Sequence, residues 1–321
     1  MDQDPLILVD VMNLVFRQHF AHANLSADDD APTGMTYGFI KTVDDLRRNV
    51  SRRLVFCWDH GIPVIGSSKP ANWRDRVVSD YKATRKPNPA YEQIIPQLLP
   101  LSDLITTLGY EQVMVPGLEA DDTIGIIAAN AKGPVLVFST DRDFYQLLTN
   151  PNVAVLVPKK EKGGFRRIRA IDVKNEFGVP VDFWPEYLAL GGDKSDDIKP
   201  IRGMGPKAAI KLIGAGIDPE VEDVRELDPI AFVTLTKYQK EGTIEDLWKR
   251  VRACYSAALI PTDPDDERLA GCWSHGKYRK YRLDGKQRVK NVDAAVAQYA
   301  KFCANRDMPS LMMMKDRLFE F

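Results

Sequence analysis

Leu6-Ile7-Leu8-Val9-Asp10, Leu54-Val55-Phe56-Cys57-Trp58-Asp59 and Val135-Leu136-Val137-Phe138-Ser139-Thr140-Asp141 are the stretches that decide the fold. Each is a strand-sized apolar run that ends in, or just before, an aspartate. Helical patterning follows the first run to about Phe20 and resumes from about Met35 to Val50, across a polar loop with Asp28-Asp29-Asp30 and Pro32. Strands alternating with helices predict an α/β fold with a mainly parallel sheet.

In open α/β sheets ligands bind at the carboxyl edge of the strands, where the loops converge. Three buried strands each bring an aspartate to that edge: Asp10, Asp59 and Asp141. Helix capping accounts for such an acid one at a time, and three together point to a site. Further acids accompany them. Glu119-Ala120-Asp121-Asp122 leads into an apolar helix, Thr123 to Ala131, with Glu119 and Asp122 on one helical face; acids there also suit the helix dipole. Asp141 and Asp143 form a D-x-D pair, and Asp193-Lys194-Ser195-Asp196-Asp197 supplies a third cluster. Packed together these carboxylates repel unless cations join them. A donor set of oxygens without His or Cys selects hard ions, Mg²⁺ or Mn²⁺, and two such ions about 4 Å apart clamp a phosphodiester. Gly203-Met204-Gly205-Pro206-Lys207 then opens a helix from Pro206 to Ile213, in a form that lets backbone N–H groups approach phosphate.

The chain has 321 residues, 44 Lys+Arg and 45 Asp+Glu, hence a formal charge of −1. That balance hides an asymmetry: residues 1–150 carry 14 basic and 19 acidic side chains, and residues 151–321 carry 30 and 26. Cations gather at Lys41–Arg53, Lys159–Lys174 and Lys277–Lys290. Basic stripes beside an acid-rich half suit a polyanion partner and a site that holds cations. The acidic start Met1-Asp2-Gln3-Asp4 does not read as a signal peptide, and no apolar run reaches 18 residues, so no membrane span is expected. Four cysteines form no CxxC pair, and His19 and His22 lack a third zinc ligand nearby; reduced thiols in a cytoplasm are expected.

The chain resembles the 5′-nuclease (flap endonuclease) family, most of all the 5′-to-3′ exonuclease domain of bacterial DNA polymerase I. The resemblance rests on seven blocks in order over residues 5 to about 213. These begin with Pro5 to Asp10 and Arg17, then Pro32-Thr33-Gly34 with Tyr37-Gly38. The arch pattern follows in Trp73-Arg74-Asp75, Tyr81-Lys82 and Arg85, where the first residue is more often Phe. Gly117 to Asp122, Ser139 to Asp143, and the two blocks within Gly192-Asp193 through Ala208, the last metal block and the helix–three-turn–helix, complete it. It implies a PIN-like core with a helical arch and a helix–three-turn–helix motif, and a standalone phage or bacterial accessory enzyme, because no polymerase part follows.

The same resemblance implies a divalent-metal-dependent 5′-3′ exonuclease or 5′-flap endonuclease acting on DNA. The family's metal ligands carry over onto Asp10, Asp59, Glu119, Asp121, Asp122, Asp141, Asp143, Asp193 and Asp196. Lys82 and Arg85 are the catalytic cations implied. Arg17, Arg74, Tyr81, Gly203, Gly205 and Lys207 are the DNA contacts, with K⁺ as a further ion at the hairpin. RNA–DNA primers are an additional substrate class, a monomer the expected state, and the cytoplasm of a bacterial or phage-infected cell the expected location. Residues 1–180 form the expected nuclease core, with the arch at about 61–100, and residues 181–321 a DNA-binding and divergent C-terminal region. A PIN-type ribonuclease would share the strand-end acids but lack the arch block and hairpin. A DNA-binding protein without catalysis would not need nine acids, and a metal-dependent phosphomonoesterase would not need the DNA-gripping parts.

Overall fold

The computed structural model describes residues 4–26, 32–60, 72–78, 81–82, 88–159, 164–192, 201–273 and 281–320. Six strands form one sheet: β1 (Leu6–Asp10), β2 (Leu54–Cys57), β3 (Glu111–Val113), β4 (Val135–Phe138), β5 (Val153–Pro158) and β6 (Phe165–Ile168). Their order is β3-β2-β1-β4-β5-β6. All neighbours pair in parallel except β6, which runs antiparallel to β5. The α/β expectation therefore holds. β5 is an apolar run that a search for strand-end aspartates passes over, since Lys159 and Lys160, not an aspartate, follow it. β3 and β6 are short, and Arg166 and Arg167 of β6 face solvent.

The chain runs outward from β1 through β2 to β3 on one side, then returns to place β4 on the other. The switch point of this topology is the β1–β4 boundary, the place where an open α/β sheet offers a crevice. Along β1 the side chains alternate between two cores. Ile7 and Val9 join one apolar cluster and Leu6 and Leu8 the other, the two-residue period of a strand covered on both faces.

Helices α1 (Val11–Ala21), α2 (Gly34–Asn49) and α3 (Ala90–Thr107) cover the first face, and α4 (Ala120–Asn130) lies on the second. After β6 come α5 (Ala170–Phe177), α6 (Trp184–Gly191), α7 (Pro206–Gly214), α8 (Pro229–Thr236), α9 (Ile244–Ala258), α10 (Val292–Ala304), α11 (Pro309–Met312) and α12 (Lys315–Leu318). The arch expected at about 61–100 is described only in part. Ile94, Leu98, Leu101 and Ile105 of α3 are buried in the first cluster with Phe39 and Phe56, so the segment from Ala90 belongs to the core. Of the remainder, Trp73–Arg76 forms a short 3-10 turn, and most of 61–87 lies outside the described residues.

Packing also divides the chain differently from a boundary near 180. Leu190, Ala209, Leu212, Leu235, Trp248 and Val251 form a cluster of their own. Tyr299, Cys303, Leu311 and Leu318 return to the first core beside Ile7 and Phe39. Arg47, 5% exposed, fixes this return by donating to the carbonyls of Arg317 (2.7 Å) and Glu320 (3.0 Å).

The glycines of the Pro32–Gly38 block have a packing reason. A Cβ on Gly34 would stand 1.9 Å from the His22 carbonyl oxygen, and one on Gly38 2.3 Å from Gln18 Oε1. The first neighbour is backbone and cannot give way. Gly34→Ala should therefore destabilise the fold by about 1–3 kcal/mol through overpacking, read as a lower urea midpoint at unchanged slope. An unaltered midpoint would show that α1 and α2 separate without cost.

Where α6 meets α9, burial pushes the Glu186 carboxyl from 4.5 up to about 7, with Asp218, Glu220 and Asp182 adding to it. Folding takes up a proton between those values. The group thus favours the folded chain at acid pH, and that benefit is lost as pH rises through about 7. Glu186→Gln should raise the melting temperature at pH 8 by a few degrees, for about 1 kcal/mol after allowance for solvent screening, and leave it unchanged at pH 5. A rise of equal size at both pH values would refute this titration.

Candidate active site

Asp10 is the last residue of β1 and the N-cap of α1: its Oδ1 accepts from the Asn13 N–H at 3.2 Å. Its other oxygen accepts from Ser139 Oγ at 2.8 Å. Capping and site-building are thus both served by one carboxylate. Asn13 Oδ1 accepts in turn from the Thr140 N–H (3.1 Å) and hydroxyl (3.0 Å), which ties the β4 loop to α1 across the switch point. Ser139 Oγ also accepts from the Asp141 N–H (3.1 Å), and Asp141 Oδ1 from the Asp143 N–H (3.0 Å). Burial lifts the Asp10 carboxyl to about 7, with the charges of Asp59 and Asp141 adding to it.

The second group stands beyond β2. Asp59 Oδ1 accepts from the Ala120 N–H at 2.8 Å. Glu119 is the N-cap of α4, and Asp122 closes a capping box onto the Glu119 N–H at 2.9 Å. The helix thus starts at Ala120, three residues earlier than its apolar pattern suggests, with Asp121 and Asp122 in its first turn. Tyr81 donates its hydroxyl to Glu119 Oε2 (2.7 Å), and Lys82 Nζ lies 2.6 Å from Oε1. Burial opposes ionisation of Glu119, but Lys82 and Arg74 outweigh it and hold the carboxyl at about 2. Asp59 and Asp121 are pushed upward by burial, with the Glu119 charge contributing to both.

Arg74 departs from the sequence reading. Expected to meet phosphate, it is 1% exposed. Its guanidinium sits 3.3 Å from Glu119, 2.8 Å from Asp121 and 2.9 Å from Asp122, and its Nε donates to the Ala257 carbonyl at 2.9 Å. It is an internal counter-charge, because four acceptors converge where a buried cation needs them. Asp122 stands with it. Fully buried, it takes hydrogen bonds from Trp73 Nε1 (3.0 Å), Arg74 Nη1 (3.1 Å) and the Glu119 N–H. That makes it the anchor of Arg74 and Trp73. Tyr81, expected to stack on a base, is 6% exposed with its hydroxyl turned to Glu119.

Arg17 is half-buried, its guanidinium 5.9 Å from the Phe138 ring, and its Nη1 has no hydrogen-bond partner among the described residues. Burial lowers its pKa. Gly203, at φ 86°, and Gly205 shape an exposed turn before α7, with open space where either Cβ would stand, and Lys207 is exposed beside them. Arg85, Asp193 and Asp196 lie outside the described residues. Tyr281, within the basic stretch 277–290, is used internally: it stacks on Trp273 and donates to the Met114 carbonyl. Ser139, Asn13 and Thr140 were missed by the sequence reading. Ser139 and Thr140 carried a signal in sitting between a buried strand and its aspartate.

Among the described residues no three His, Cys, Asp or Glu side chains close up as a ready-made metal cage. Arg74 and Lys82 instead occupy the space among the acids. The donor set still fits a hard divalent cation. It is all oxygen, and Asp10, Asp59 and Asp121 hold their protons more tightly than usual. Burial is the first cause and neighbouring carboxylate charge adds to it, and an added cation would offset both.

A family profile described as "5′-3′ exonuclease, N-terminal resolvase-like domain" matches residues 5–178. The chain belongs to this family. The thermostable DNA polymerase I of Thermus filiformis is 32% identical over 211 residues, which is 65% of this chain and 23% of that protein. A 5′-3′ exonuclease of Streptomyces coelicolor is 30% identical over 296 residues, 84% of this chain and 96% of that protein. The chain thus spans about a quarter of the polymerase relatives and nearly all of the exonuclease. Among solved structures, flap endonuclease-1 from Methanococcus jannaschii superposes with a TM-score of 0.59 at 15% identity, covering 99% of this chain and 92% of that one. The T5 5′-exonuclease with zinc bound gives 0.54 at 18% identity, covering 98% and 100%. At these identities the likeness is one of fold, and the fold is that of the PIN-like 5′ nucleases.

Proposed function

We propose that the chain is a divalent-metal-dependent 5′-3′ exonuclease and 5′-flap endonuclease that hydrolyses DNA phosphodiesters in replication or repair. The observation that carries this reading is the gathering of Asp10, Asp59, Glu119, Asp121, Asp141 and Asp143 around the carboxyl edge of β1, β2 and β4, with Arg74 and Lys82 among them. Glu119, Asp121 and Asp141 hold one Mg²⁺ or Mn²⁺, with Asp10 and Asp59 acting through water. Asp143 holds a second with Asp193 and Asp196, which join on the family pattern. When bound, such ions supply Lewis acidity toward phosphoryl oxygens and lower the pKa of water.

The chain's own groups do the rest. Ser139 and Asn13 fix Asp10 and the Asp141 loop. Arg74 stays in place as permanent counter-charge. Lys82, paired with Glu119 at 2.6 Å, would turn to the scissile phosphate where Glu119 held an ion, and Arg85 would assist it in offsetting charge on the phosphoryl oxygens. Duplex is gripped by the Gly203–Gly205 turn and Lys207, with K⁺ at the turn carbonyls, and by the cations of 159–174 beside the β5–β6 pair. Arg17, half-buried on α1, contacts phosphate through the exposed part of its guanidinium. The protein acts as a monomer, accepts RNA–DNA primers, and works in the cytoplasm of a bacterial or phage-infected cell. Its four cysteines form no disulfide with one another, which suits a reducing compartment, and no described helix is long and apolar enough to cross a membrane.

The test is cleavage of 5′-labelled flap, blunt-duplex and single-stranded DNA, each with Mg²⁺ and with EDTA. Metal-dependent cutting near the flap junction is expected, and the blunt duplex ranks exonuclease against flap cleavage. DNA binding without cutting would replace this reading with that of a binding protein. Cutting of RNA alone would replace it with a PIN-type ribonuclease.

A further inference from the structure

The last carbonyls of a helix have no partner within it. At the C-terminal end of α9 they are taken by side chains from two distant segments and from the turn that follows the helix. Ser256 O accepts from Arg268 Nη1 (3.0 Å), Ala257 O from Arg74 Nε (2.9 Å), Ala258 O from Gln146 Nε2 (3.0 Å), and Leu259 O again from Arg268 Nη1 (2.9 Å). These donors lead to the two halves of the acid group. Arg74 carries Glu119, Asp121 and Asp122. Gln146 donates to the carbonyl of Asp143 (2.9 Å) while its Oε1 accepts from the Ile260 N–H (2.8 Å). Arg268 also lies 5.0 Å over the ring of Trp73, whose Nε1 holds Asp122.

The other end of the connection is the lobe that bears the Gly203–Gly205 turn. Trp248 and Val251 of α9 pack there against Leu190, Ala209 and Leu212. Helix α9 therefore packs on that lobe through Trp248 and Val251 and, at its C-terminal end, meets side chains that are bonded to both acid groups. Gln146 is buried, 7% exposed, and neither it nor Arg268 points a free donor at the acid edge.

We propose that the C-terminal end of α9 is a positioning device in which Gln146 and Arg268 hold the two carboxylate groups in register with each other and with the DNA-gripping lobe. This rests on reading those carboxylates as ion holders. Gln146 and Arg268 are positioning residues: they act through Asp143 and through the Trp73–Arg74 pair. A misplacement of about 1 Å at reacting groups costs on the order of a hundredfold in rate, so loosening either link lowers turnover and ion affinity without touching DNA.

Gln146→Met, Gln146→Glu, Arg268→Met and Arg268→Lys in the full chain test it. Gln146→Glu keeps the acceptor for Ile260 but loses both donors. The readouts are single-turnover cleavage of a 5′-flap DNA against Mg²⁺ concentration, DNA affinity in EDTA, melting temperature, and Mn²⁺ titration of the DNA-free proteins. Expected are a fall of about tenfold or more in the rate at saturating DNA, a severalfold higher Mg²⁺ requirement and unchanged DNA affinity in both Gln146 variants. Arg268→Met should follow, with partial recovery in Arg268→Lys. A lower melting temperature with rate and Mg²⁺ response intact would show mere packing and overturn the proposal. If Gln146→Met does not fold, the Arg268 pair decides by the same readouts. Absence of metal-dependent cleavage in the unaltered chain would overturn the functional reading instead. The Mn²⁺ titration then judges the positioning, which equal affinities in parent and variants would refute.

Discussion

Asp141→Asn is expected to abolish the proposed metal-dependent cleavage and to leave the fold intact. Asp141 Oδ1 accepts the Asp143 N–H at 3.0 Å, and its own N–H is fixed by Ser139 Oγ. Asparagine keeps both bonds, so the loop retains its shape and only the charge is lost. That charge is one of the two neighbours that lift Asp10, so its removal also eases the remaining acids. Cleavage of a 5′-labelled flap under single-turnover conditions should fall by about a thousandfold or more, the scale of removing one electrostatic participant. Melting temperature should stay unchanged, and DNA binding in EDTA should be equal or tighter because one repulsive carboxylate is gone. Cleavage at the parent rate would sink the ion-holding role of this acid.

Arg74→Met has the largest expected effect on stability. It strands Glu119, Asp121 and Asp122, all close to or within the core, without their shared counter-charge. Breaking a buried ion pair by removing one partner costs about 3–5 kcal/mol, a drop of roughly 10 °C in melting temperature for a chain of this size. Millimolar Mg²⁺ should restore part of the loss, since an added cation offsets the same charges. Arg74→Lys should recover little. An ammonium keeps the charge but cannot reach three carboxylates and the Ala257 carbonyl at once, as the guanidinium fork does. Calorimetry with and without Mg²⁺ reads both statements. A methionine variant as stable as the parent would show that Arg74 is not the counter-charge described.

The strand-end acids were legible because their cause is local. A buried parallel strand is a short apolar run, and the residue that follows it emerges at the carboxyl edge whatever the rest of the chain does. Asp10, Asp59 and Asp141 satisfy that rule. The glycines at 34 and 38 were legible as a pattern, though their reason, the close approach of α1, needed the packed helices. β5 was passed over because no aspartate follows it, and α3, which carries Pro96 and Pro100, turns to the core a face built on Ile94, Leu98 and Leu101.

Sequence by itself determined the α/β class, the acids and the edge on which three of them stand, since two- and 3.6-residue periods are properties of neighbouring residues. Tertiary structure alone decided that Arg74 turns inward, that Asp122 serves it, and that the end of α9 takes donors from both acid groups. Arg74 and the carbonyl it meets are 183 residues apart. No local period encodes that meeting: it follows from the order of strands and the return of the chain, and from the need of every buried charge and helix-end carbonyl to find a partner away from water.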